Sequence, residues 1–74
     1  MKQFVVHAHF DDEAGVWSGS NAELPLTTEA DTLDHLLARA LEIGPEIALM
    51  NGLAERGEEV SIQITADKVA RAYA

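Results

Sequence analysis

Cysteine is missing from all 74 residues, so neither a disulfide framework nor a thiolate zinc site is available. Basic side chains are scarce: five Lys and Arg against 13 Asp and Glu, for a formal charge of −8. Lys2, Arg39, Arg56, Lys68 and Arg71 are also scattered along the chain. Nucleic-acid binding draws most of its affinity from clustered cations neutralising phosphates. Direct DNA or RNA binding is therefore disfavoured, and anionic membrane surfaces with it. Aromatic residues are few, at 5%, and proline occurs twice. No apolar run approaches the ~18 residues of a membrane span. The opening Met1-Lys2-Gln3-Phe4-Val5-Val6 meets His and Asp too early for a signal peptide, so a cytoplasmic protein is expected.

What is present fits one small globular domain over residues 1–74. Hydrophobic residues make up 47% of the chain, too many for a disordered one. A domain of this length buries only about 60% of the surface of its unfolded chain. Without disulfide or metal, self-association is a natural stabiliser, and a homodimer is expected. Excess negative charge favours a basic protein partner, because opposite potentials steer encounter.

Periodicity sets out the elements. Phe4, Val6, Ala8 and Phe10 alternate with Val5, His7 and His9, which predicts a strand over residues 2–10. Asp11-Asp12-Glu13-Ala14-Gly15 reads as a hairpin connection, with Gly15 free to take positive φ. Residues 16–20 form the return strand. Asn21 and Pro25 mark a loop, and residues 26–28 a short third strand. Asp31 is expected to cap a helix, with Asp34 reaching back toward the same N–H groups. Leu33, Leu36, Leu37, Ala40 and Leu41 recur at helical spacing as its apolar stripe. Gly44-Pro45 either ends that helix and opens another or kinks one long helix. Asn51-Gly52 stops it. Val60, Ile62 and Ile64 alternate with Ser61, Gln63 and Thr65 as a final amphipathic strand. Residues 67–74 form a last helical turn or a frayed end. The expected architecture is α+β in the order β-β-β-α-β: an antiparallel sheet of three or four strands with a broken helix on one face.

Few residues suggest chemistry. His7 and His9 share one face of a strand, and Asp11 or His35 are candidates to complete a metal site with them. The plainer reading is a solvent-facing or interfacial pair. Asp11-Asp12-Glu13 lacks calcium-loop spacing, since Gly15 falls fifth where the sixth position is needed. Ser18 and Ser20 lack a nucleophile elbow. Trp17 is a core residue or, alternatively, an interface anchor. These residues argue against an enzyme and supply no catalytic, cofactor or metal assignment.

The ordered features resemble HicB-type antitoxin domains. The strand over residues 4–10, the acidic turn 11–15 and Val16-Trp17 are similar to that family's opening. Leu24-Pro25 and then Thr28-Glu29-Ala30-Asp31-Thr32-Leu33 are similar to its "Leu-Pro-Gly" loop and "Thr-x-Gly-Asp-Thr-Leu" helix start. A small bacterial relative, described as a domain of unknown function, is similar as well; the likeness spans about residues 3–66. Leu26 stands where the family has Gly, and no DNA-binding segment follows residue 66. The resemblance implies a helix packed across an antiparallel sheet, usually dimeric. It also implies a partner, a small basic RNase toxin that the domain masks.

Overall fold

The computed structural model describes residues 2–74, and β1 (Lys2–Asp11), β2 (Val16–Asn21), β3 (Leu26–Ala30), α1 (Leu33–Met50) and β4 (Val60–Asp67) follow in that order. The fold is α+β: four strands in the order β3-β2-β1-β4, with one helix on one face. The sheet is mixed rather than wholly antiparallel. β1 pairs antiparallel with β2, and β2 with β3, but β4 lies parallel to β1, Phe4 beside Ile62 and Val6 beside Ile64. Strand parity explains the difference. Three strands run up, down and up, and an 18-residue helix of about 27 Å carries the chain back to the starting end. The next strand must then run parallel to β1 and β3, whichever it joins.

The β1–β2 turn forms as expected. Asp11 Oδ1 accepts from the N–H groups of Glu13 and Ala14, at 3.0 and 3.2 Å. Gly15 takes φ +68 and its N–H donates to the Asp11 carbonyl at 2.7 Å. The helix cap falls one residue later than expected. Thr32, not Asp31, is extended at φ −133, ψ 160, and its Oγ1 accepts from the His35 N–H at 3.1 Å. A hydroxyl at this position reaches the first-turn N–H groups. Asp31 instead accepts from the His35 ring, Nδ1 to Oδ1, at 2.5 Å.

One continuous helix runs through Gly44 and Pro45. A proline deletes one helical donor and crowds the preceding turn, yet the helix does not break there. Its end is closed by two bonds: Leu53 N–H to Ala48 carbonyl at 2.8 Å, and Gly52 N–H to Leu49 carbonyl at 3.3 Å. Gly52 at φ +70 provides the left-handed residue this motif requires.

Leu36, Ala40, Gly44 and Ala48 are the buried residues of α1, every fourth position in a line. Leu33 and Leu37 are half-buried, and Leu41 is 47% exposed, outside the core where its spacing had placed it. Small residues at three of the four buried positions set the helix close to the sheet. A Cβ on Gly44 would stand 2.8 Å from Ile62 Cδ1. Across the sheet the core is Phe4, Val6, Ala8, Leu26 and Ala30, joined by Leu24 from the β2–β3 loop. Residues 68–74 have no regular structure, and all of them are exposed.

Candidate functional site

The helix covers only one face of the sheet, so the outward residues of all four strands share the other. Strand alternation puts His7 and His9 there, opposite Val6 and Ala8. Pairing then sets their neighbours. His7 has Ser20 on one side and Thr65 on the other; Ser20 in turn faces Thr27. His9 lies between Ser18 and Asp67, and Ser18 faces Glu29. Two rows thus cross the sheet: Thr27, Ser20, His7, Thr65, and Glu29, Ser18, His9, Asp67. Sequence reading finds the two histidines but not the rows, because only the pairing register brings serines and histidines together.

The rows do different things. In the first, Thr65 Oγ1 and His7 Nδ1 share a hydrogen bond of 2.7 Å. In the second, serine, imidazole and carboxylate stand side by side. No hydrogen bond joins Ser18 to His9 or His9 to Asp67 among the described residues. A nucleophile relay needs those contacts within about 3.2 Å. What the face offers is a field of hydroxyl and imidazole donors and acceptors, with carboxylates at both ends of the second row. Gln3 Nε2 donates to Gln63 Oε1 at 3.2 Å and extends the field along the strands.

The other candidates lie elsewhere. Asp11 spends its carboxylate on the turn, and His35 sits at the start of α1, in the other layer. No three His, Asp or Glu among the described residues converge as a metal-holding group. The Asp31 carboxyl is held below its ordinary range, chiefly by the hydrogen bond from His35. Trp17 is half-buried at the sheet's end beside Ala30. Its ring meets Phe10 edge-on, 5.2 Å between centroids at 63°. The Lys68 ammonium caps this pair, 4.2 Å above the Phe10 ring and 6.0 Å from that of Trp17. Trp17 therefore serves the packing of this end. No described helix is long and apolar enough to cross a membrane.

Comparison with known proteins agrees with this architecture. No protein of curated function matches the chain. The crystal structure of a hypothetical protein from the extremely thermophilic bacterium Thermus thermophilus is similar, at 35% identity and a TM-score of 0.79. The match covers 96% of this chain and 100% of that one. A family described as a domain of unknown function, DUF1902, matches residues 3–74. On that match, which takes in every element of the sheet and the helix, the chain belongs to the DUF1902 family.

Proposed function

We propose that the chain is a non-enzymatic protein-binding module, akin to HicB-type antitoxins, that captures a small basic protein in the cytoplasm, an RNase toxin being the expected class. The observation that carries this reading is charge. Thirteen acids against five bases leave the surface strongly negative, and Glu29 and Asp67 flank the open face. An open, polar, acid-bordered sheet face suits a cationic protein surface better than a small substrate, which calls for an enclosed concavity. The test is co-expression with a short basic protein encoded beside the gene, followed by titration calorimetry of the purified pair. Stoichiometric binding that weakens with salt, weakens further with Glu29→Lys and Asp67→Lys, and quenches RNase activity is the expected result. Absence of any basic neighbouring reading frame, or neighbours that do not bind, overturns it.

A second reading, a self-associating domain of regulatory role, is favoured by the bare edge of β4. The two readings are compatible, since the edge and the open face are different surfaces.

A further inference from the structure

β4 is an edge strand with β1 on one side and, among the described residues, no strand on the other. Proteins usually blunt such edges with charge, proline or brevity. β3, the opposite edge, is five residues long, follows Pro25 and carries Glu29. β4 is eight residues long and has neither charge nor proline from Val60 to Ala66. Its core-facing Val60, Ile62 and Ile64 are only half-buried.

Two further features lie at the ends of this strand. Beyond Asp67 the chain continues as an exposed arm, with Val69 78% and Tyr73 97% exposed. The molecule is 53 Å long but only 20 by 18 Å across. Its radius of gyration is 13.9 Å, against about 11 Å for a compact chain of this length. Before Val60 lies a hollow of about 480 Å³ between the end of α1 and the loop leading to β4. Pro45, Leu49, Met50, Ala54 and Val60 line it, with Glu46 among them. Met50 is 77% exposed.

We propose that two copies of this chain pair antiparallel, β4 edge to β4 edge, and that the arm of each lies along the hollow of the other. Full overlap of the two strands sets Val60 opposite the other copy's Asp67. Residues 68–74 of one copy then pass residues 53–59 of the other, the outer wall of the hollow. The charges match. The arm carries Lys68 and Arg71, +2, and residues 53–59 carry Glu55, Glu58 and Glu59 against Arg56, −2. Lys68 holds the base of the arm over Phe10, leaving Arg71 to meet the other copy's acids and Tyr73 to enter its apolar hollow. The family match continues through residue 74, so the arm belongs to the domain. The proposal specifies the surface for the self-association reading and rests on it. Basic-partner binding is measured separately, so either reading can fail alone.

Light scattering on the full chain at tens of micromolar tests the pairing. A dimer is expected, and its Kd should rise at least tenfold in Arg71→Glu/Tyr73→Asp. Both side chains are exposed, so the variant's own thermal unfolding at high dilution should stay unchanged. Because the chain lacks cysteine, Glu55→Cys/Tyr73→Cys adds a direct readout. Within one copy, the β4 strand alone sets Val60 and Asp67 about 23 Å apart, and Glu55 and Tyr73 lie beyond its opposite ends, far outside the ~4.4–6.8 Å Cα spacing of a disulfide. Oxidation should therefore link two copies, while either single cysteine variant links them far less. A monomer throughout, a dimer indifferent to the arm substitutions, or no cross-link in the double variant would overturn the proposal.

Discussion

β1 and β4 are neighbours in register and alike in sequence pattern, yet they differ in burial. Phe4, Val6 and Ala8 on β1 are 3%, 0% and 2% exposed. Their partners Ile62, Ile64 and Ala66 are half-buried, half-buried and exposed. Hydrophobicity does not account for this, since isoleucine is at least as apolar as valine. Position does. β1 has a strand on both sides, whereas β4 has one and leaves its other edge open. A residue's worth to the fold is therefore set by how many elements close over it.

This comparison is broken most severely by truncating side chains on its two sides. Leu36, fully buried between α1 and the β1–β2–β3 half, should cost about 2–5 kcal/mol as Leu36→Ala. A domain this small holds roughly 3–5 kcal/mol in all. Urea unfolding followed by circular dichroism should show that variant largely unfolded at 25 °C. Ile64→Ala, on the edge, should cost about 1–2 kcal/mol and leave the domain folded. Equal losses at the two sites would refute the contrast.

Two glycines sharpen it. A Cβ on Gly19 of β2 would lie 2.9 Å from Val6 Cγ1 and 3.1 Å from Leu36 Cδ2, both on fully buried side chains. Gly19→Ala should cost about 1–3 kcal/mol by overpacking. A Cβ on Gly44 would stand 2.8 Å from Ile62 Cδ1, the far end of a half-buried side chain on an edge strand, and 3.7 Å, an ordinary contact, from Leu24 Cδ2. Gain in helix propensity, about 1 kcal/mol, offsets the displacement of that Ile62 end, so Gly44→Ala should leave the urea midpoint nearly unchanged.

The smallest effect concerns Asp31. Its carboxyl titrates below the ordinary range in the folded state because it accepts from His35. The pairing therefore contributes stability above the unfolded carboxyl's range, and that contribution is lost as pH falls through the lowered value. Asp31 is fully exposed to solvent. Asp31→Asn should accordingly flatten the acid limb of a stability–pH curve only slightly, a change read by comparing urea midpoints of the two proteins at acid and neutral pH.

Much of this architecture is legible in the residues. Alternation from Phe4 to Phe10 and from Val60 to Ile64 marks two strands, Asp11 to Gly15 a turn, and Asn51-Gly52 a helix end. Each signal is local, carried by side chains within one element. What escapes is set between elements. Leu24 looks like a loop residue, but Asn21 draws it inward. The Asn21 Oδ1 accepts from the Leu24 N–H, and its Nδ2 donates to the Val5 carbonyl at 2.6 Å. Leu41 keeps the helical spacing of Leu37 and Leu33, but contact with the sheet follows Ala40, Gly44 and Ala48 instead. The parallel pairing of β4 follows from counting strand directions, which periodicity does not record. Of the open face, the histidine pair is legible and the serine and threonine neighbours are not, because cross-strand register has no local signature.

The parallel seam also orders events in time. Lys2 pairs with Val60, so the first strand synthesised waits for the last to complete its sheet. Closing so long a loop carries an entropic cost that must be met before the seam rewards it, and topologies rich in distant pairings fold slowly. While a nascent chain is still growing, β1 has only the β2 hairpin for company, and one side of its most apolar stretch stays open to any passing strand.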